Sequence, residues 1–336
     1  MILNHRLFVI LHKTIFIKNM TKQQLRIIYM GTPEFAVAPL QTLIEQGFNI
    51  VAVVTVPDKP QGRGRKIAPS PVKEYAVEHN IPVLQPEKLK NPEFLDELKS
   101  YNADLQIVVA FRMLPEVVWA MPKYGTFNLH AALLPQYRGA APINWAIING
   151  ETKTGVTTFL LDKDIDTGRI IMQREIPILP EDNIGTLYDK MMNIGKNVVV
   201  ETVETIISGN YKSIPQDTLI KKDTILRPAP KIFKDDCRLD FSKKCVELHN
   251  LVRGLSPYPA AFTTIKVNGK DLNLKVFETK PEPSSNPQPV GTLVTDNKTF
   301  LKIACTDGYL IINDLQLEGK KRMKLEEFLR GVKLSL

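Results

Sequence analysis

Three segments near the start of the chain constrain the fold more than anything else in it. LRIIYMG (25–31), PEFAVAPLQTLIEQG (33–47) and NIVAVVTV (49–56) follow one another directly. The outer two are nearly continuous apolar runs rich in Ile and Val; the middle one carries apolar residues at helical spacing, opening on Pro33 and stopping at Gly47. Strands that are apolar on both faces, alternating with helices, argue for a parallel sheet covered on both sides. DLQIVVA and TFNLH continue the pattern, with helices near PEVVWAM and GAAPINWAIING, and a long helical stretch from Gly185 to about Ile207 closes the domain. The turn after the first strand reads MGTPEFA and lacks the G-x-G-x-x-G that lets a backbone approach a pyrophosphate, so no dinucleotide cofactor is expected.

After Ser208 the texture changes. SGNYKSIPQDTLIKKDTILRPAP is polar, contains proline and has no helical period, as expected of a linker. Beyond it come short β-rich runs, AFTTIKVNG, LNLKVF, GTLVT, LKIACTDG and YLIINDLQLEG, separated by Asn-Gly, Asp-Gly and Glu-Gly turns, the pattern of a small barrel or sandwich. A length of 336 residues with 43% apolar composition supports two ordinary cores. The reading is a catalytic α/β domain over 20–207, a linker over 208–227 and a C-terminal β domain over 228–336. Residues 1–19 are basic, free of acidic residues and too interrupted by His12, Lys13 and Lys18 to span a bilayer, and Met20 is read as the start, with 1–19 an upstream extension.

The net charge of +8 is unevenly placed: residues 20–227 hold 23 basic against 23 acidic side chains, and residues 228–336 hold 18 against 13. The C-terminal excess fits either a solvated basic surface or a module for a polyanion. Cys237, Cys245 and Cys305 have no C-x-x-C spacing and suggest neither a disulfide framework nor a zinc site, which fits a reducing, cytoplasmic setting.

One stretch stands out for chemistry. In FNLHAALLPQYRGA, strand alternation puts Asn128 and His130 on one face, with Phe127 and Leu129 on the other. A strand-end Asn or His is commonly a satisfied structural residue, but a polar pair with a shared direction is a candidate site. LDKDIDTG sets Asp162, Asp164 and Asp166 at positions one, three and five, as a calcium loop would, yet Thr167 replaces the required Gly and Gln173 stands where the bidentate Glu belongs. No metal site is expected there. PDKPQGRGRKIAPSPVK carries five basic residues and one acidic, among them Arg63, Arg65 and Lys66.

Taken together, MGTPEFA, PDKPQGRGRKIAPSPVK, FNLHAALLPQYRGAAPI and DIDTGRII followed by GTLYDK make the chain, from Leu25 on, resemble the folate-dependent formyltransferase family, and within it the branch that acts on methionyl-tRNA. The resemblance implies a Rossmann-like parallel-sheet domain followed by an OB-like barrel, with 10-formyltetrahydrofolate as formyl donor, initiator methionyl-tRNA as acceptor, no metal, and action as a monomer away from membranes. It implies Asn128, His130 and Asp166 as the catalytic trio. Formyl transfer to an amine needs a neutral amine, a held oxyanion and an outlet for a proton: Asn128 can donate to the oxyanion, and His130, oriented by Asp166, can handle the proton. Ala132, Leu133, Leu134 and Pro135, with Phe111 and Met113, fall where the family binds folate; Ala132 replaces the usual Ser, and Phe111-Arg112-Met113 replaces a more usual Tyr-Gly. Arg63, Arg65 and Lys66 are then the phosphate contacts. Two alternatives stay open at this point: a formyltransferase acting on a sugar amine, and a non-catalytic RNA-binding protein on the same fold.

Overall fold

The computed structural model describes residues 20–61, 66–209 and 211–334. The stretch 1–19 and the side chains of Arg63, Arg65 and Lys66 lie outside what it describes. The described residues form two compact units, one within 20–138, 155–175 and 190–227, the other within 139–154, 176–189 and 228–334.

The first unit is built on a seven-stranded sheet. Its strands are β1 (Arg26–Gly31), β2 (Asn49–Val54), β5 (Val83–Leu84), β6 (Leu105–Val109), β7 (Thr126–His130), β8 (Lys153–Leu160) and β9 (Ile170–Pro177), in the order β5-β2-β1-β6-β7-β8-β9. A separate hairpin pairs β3 (Lys59–Gln61) with β4 (Lys66–Ala68). The sheet is parallel from β5 through β7, as the βαβ pattern requires, and then reverses, because β7 pairs with β8 antiparallel. β8 is buried from Thr154 to Phe159, whereas β9, at the edge of the sheet, is only partly buried.

Helices α1 (Val37–Glu45), α2 (Pro71–Glu78), α3 (Pro92–Ser100), α4 (Glu116–Trp119), α5 (Pro142–Ile148) and α6 (Ile184–Ile207) follow the strands. α2 starts inside the basic stretch, where Ser70 Oγ accepts from Lys73 N at 3.1 Å and Pro71 occupies the first turn. Ile28, Met30, Ala52, Val54 and Val108 form a buried cluster on one face of the sheet, while Ile27 and Tyr29 are buried on the other. Both faces are covered, which is why β1 reads as an unbroken apolar run.

The second unit contains a six-stranded antiparallel sheet in half-barrel form: β10 (Ala261–Val267), β11 (Lys270–Pro283), β14 (Gly308–Leu317), β13 (Leu301–Cys305) and β12 (Leu293–Thr295) in that order, with β15 (Met323–Lys324) on β14. Helices α7 (Cys245–Leu255) and α8 (Leu325–Gly331) supply part of its core: Leu248, Val252 and Leu255 of α7 cluster with Leu274, Val276 and Ile312. α5 belongs to this unit, with Asn144 Nδ2 donating to Gly254 O and Trp145 Nε1 to Pro230 O, both at 2.8 Å.

Candidate active site

The candidate site lies at the C-terminal end of β7. Phe127 and Leu129 are buried in the core, and Leu129 packs against α6 at Gly195, where an added Cβ would stand 2.9 Å from Leu129 Cδ2. That fixes which face β7 turns inward, and Asn128 and His130 share the opposite one. Asn128 is half-buried, level with Val108 on β6 and Phe159 on β8; His130 is level with Thr157.

His130 is 5% exposed, and three groups surround its ring. Nε2 donates to the Tyr137 carbonyl at 2.8 Å, Nδ1 stands 3.8 Å from Asp166 Oδ2, and the Phe159 ring lies edge-on at 6.4 Å between centroids. Burial lowers the imidazole pKa below its ordinary 6.5, against the opposing pull of the Asp166 charge and the Tyr137 carbonyl, so His130 is neutral at physiological pH. With the proton on Nε2, Nδ1 presents its lone pair toward the carboxylate. A proton arriving at Nδ1 creates an imidazolium that Asp166 stabilises. Asp166 keeps 14% of its side chain accessible and sits in left-handed backbone at φ +55°.

The turn that follows His130 is held by two strand residues that the sequence alone does not single out. Thr157 Oγ1 donates to Ala132 O at 2.6 Å and accepts from Leu134 N at 3.1 Å; Gln173 Nε2 donates to Leu134 O at 2.8 Å and to Thr157 Oγ1 at 3.0 Å. Neither carries a signal of its own: Thr157 stands beside Thr158 in β8, and Gln173 opens the polar run Gln173-Arg174-Glu175 of β9. Ala132, Leu134 and Pro135 are buried, Leu134 with Phe159 and Ile170, and Leu133 is half-buried. At the end of β6, Phe111 is half-buried beneath the Arg112 guanidinium, which donates to Glu87 O and Pro86 O, while Met113 is 75% exposed. Asp162 and Asp164 are exposed, and among the described residues no group of three or more His, Cys, Asp or Glu gathers as a metal site would.

One face of β7 thus carries an amide and a buried imidazole facing a carboxylate, groups that can donate to an oxyanion and take up a proton. The chain matches the formyl transferase family over residues 25–203 and the formyl transferase C-terminal domain over 231–333. It is 55% identical over 317 residues to the methionyl-tRNA formyltransferase of Bacteroides fragilis, covering 94% of this chain and 98% of that one. With the methionyl-tRNA formyltransferase of Flavobacterium johnsoniae it shares 51% identity over 313 residues, 93% of this chain and 98% of that one. A crystal structure of a sugar 3N-formyl transferase in the presence of dTDP and 5-N-formyl-THF has the same fold, with a TM-score of 0.61 and 22% identity over 89% of this chain and all of that one. HypX from Aquifex aeolicus in complex with tetrahydrofolic acid aligns at a TM-score of 0.59 and 20% identity, over 93% of this chain and 49% of that one. The chain belongs to the formyl transferase family, and within it to the methionyl-tRNA formyltransferases.

Proposed function

We propose that the chain transfers the formyl group of 10-formyltetrahydrofolate to the α-amino group of methionine on initiator methionyl-tRNA, for translation initiation, with Asn128, His130 and Asp166 carrying the chemistry. The observation that supports it most is His130 held between the Tyr137 carbonyl and the Asp166 carboxylate on the strand face it shares with Asn128. An α-amino group has a pKa of about 7.7 to 8.0, so a substantial minority is neutral at pH 7 and needs little activation. As the amine attacks, the formyl oxygen gains charge, and the Asn128 amide is the donor for it. The new ammonium then loses a proton to His130 Nδ1, which faces the Asp166 carboxylate, and the adduct collapses by breaking the bond from the formyl carbon to N10, which takes up a proton and leaves as tetrahydrofolate.

The donor's flat ring is assigned to the turn formed by Ala132 to Pro135 together with Phe111 and Met113. With Ala132, Leu134 and Pro135 buried in protein, the turn's contribution is a fixed main-chain wall plus Leu133, and Met113 is the exposed apolar group able to fold over the ligand. Arg63, Arg65 and Lys66 are assigned to tRNA phosphates, and the basic C-terminal domain to the body of the tRNA. The proposed setting is the cytoplasm, as a monomer off the membrane: the three cysteines are free and buried, Cys305 with its thiol pushed up to about 12, as suits a reducing compartment.

The test offers purified protein the formyl donor with charged initiator tRNA, uncharged tRNA, or an amino sugar nucleotide. Formylation of the charged tRNA alone is expected. Formylation of the amino sugar instead would replace this reading with the small-molecule one.

A further inference from the structure

The segment after α6, expected from its composition to be a linker, is hydrogen-bonded at several points to the rest of the first unit. Ile214 and Ile170 exchange both backbone bonds at 2.8 Å, Arg169 Nε donates to Ser213 Oγ at 2.8 Å, and Gln136 donates to Ile225 O and accepts from Arg227 N, both at 2.9 Å. In the middle sits Gln216, 2% exposed. Its Nε2 donates to Asp166 O and to Gly168 O, both at 2.8 Å, and its Oε1 accepts from Arg138 Nε at 3.1 Å and Nη2 at 2.7 Å.

That one amide joins two loops. The first, residues 131–138, delivers the Tyr137 carbonyl to His130 Nε2, and Arg138 is the residue next to Tyr137. The second, residues 161–169, delivers Asp166 to His130 Nδ1. Asp166 and Tyr137 both lie in left-handed backbone, at φ +55° and +61°, a conformation that is unfavourable for a non-glycine residue and persists where surrounding bonds hold it. A buried amide with both its donor and its acceptor sides used is a rigid joint, because releasing either partner leaves a buried polar group unmet.

We propose that Gln216 is a positioning residue for the transfer reaction: it ties the Asp166 turn to the Arg138 turn and thereby sets the distance and angle at which Asp166 meets His130. The proposal rests on the reading of His130 and Asp166 as catalytic, and it concerns a residue that never touches substrate.

The test uses the full chain and the variant Gln216→Met, which keeps the length of the side chain and removes its hydrogen bonds. Gln216→Asn, one methylene shorter with the amide kept, is the milder companion where Gln216→Met folds poorly. Two readouts are taken: the titration midpoint of the His130 ring by NMR in the free protein, assigned by the signal that disappears in His130→Asn, and steady-state kinetics. Burial of the His130 ring is the largest influence on its midpoint and the Asp166 carboxylate the next, so with the ring kept buried by its bond to the Tyr137 carbonyl the midpoint follows the carboxylate's position. With the tie cut, the carboxylate drifts away and stabilises the imidazolium less: the midpoint should move down, and kcat should fall at least tenfold, with KM for donor and for charged tRNA within about twofold of the parent. Gln216→Asn should fall between. A lowered melting temperature with His130 midpoint and kcat unchanged would overturn the proposal and leave Gln216 a purely structural residue. The underlying reading fails separately: if Asp166→Asn retains full kcat, Asp166 is not catalytic, whereas the His130 midpoint still decides whether Gln216 positions it.

Discussion

His130 turns Nδ1 toward Asp166 Oδ2 at 3.8 Å while its Nε2 is committed to the Tyr137 carbonyl at 2.8 Å. The ring therefore has one edge anchored and one edge facing a carboxylate, and only the second can take up a proton. At saturating substrates kcat should rise through the α-amino pKa of about 7.7 to 8.0, and because burial holds the imidazole below its ordinary pKa, a second acid limb should appear only below pH 6.5. Asp166→Asn removes the charge that favours the imidazolium. That second limb should then move to lower pH and the plateau should drop by about 100-fold. A pH profile of kcat for both proteins checks this; a second limb that moves upward in Asp166→Asn contradicts the assigned geometry.

Gly168 closes the same turn against β8. A Cβ built there would stand 1.7 Å from the Leu160 carbonyl oxygen, so even alanine must push the turn off the strand. Gly168→Ala should cost roughly 1–3 kcal/mol of stability and lower kcat at the same time, because Asp166 moves with the turn. Thermal melts and initial rates on one preparation are sufficient. Full activity in a destabilised Gly168→Ala would mean that the position of the turn is not critical.

Much of this is legible in the sequence, and what is not has a physical reason. The β1-α1-β2 pattern and the shared face of Asn128 and His130 follow from local periodicity, which strand and helix geometry enforce within a few residues. The reversal of the sheet at β8, α7 inside the C-terminal core and the grouping of α5 with the second unit are tertiary choices that no short window of sequence encodes. Gln216 is the plainest case. Its partners stand 50 and 78 positions away along the chain, and a lone Gln in a polar, proline-containing stretch carries no periodic signal.

Acid should destabilise the protein in a defined window. His249 is lowered to about 4 by burial and by the neighbouring Arg253, and His130 is also below its ordinary value. Both rings bind protons more readily unfolded than folded, so their contribution is complete above the unfolded pKa of about 6.5 and declines as pH falls toward the folded value. After discounting for its partial exposure, His249 should account for on the order of 2 kcal/mol between pH 6.5 and 4. Denaturant titrations across that range, repeated with His249→Gln, check it: the variant should show the shallower pH dependence, and equal slopes would contradict the assignment.

The basic stretch should make itself felt through salt. Lys73 of that stretch is already paired with Asp58 at 2.6 Å, and Arg63, Arg65 and Lys66 are the groups assigned to phosphate. Replacing Arg63 and Arg65 together by Ala should weaken binding of initiator tRNA and flatten the dependence of log K on log salt by about 0.7 to 0.9 for each phosphate no longer neutralised. Donor binding should be unaffected. An unchanged salt slope would hand phosphate recognition to the C-terminal domain.

The central claim is that a strand-end amide holds the developing oxyanion while His130 and Asp166 take the proton, and Asn128→Ala tests it most directly. Single-turnover formylation of methionyl-tRNA, with donor affinity measured separately on the same protein, separates chemistry from binding. The predicted result is a chemical step slowed by roughly 100-fold or more, with donor affinity, KM for the charged tRNA and melting temperature unchanged. A rate close to that of the parent protein, or an effect confined to KM, would contradict it and make Asn128 a binding residue.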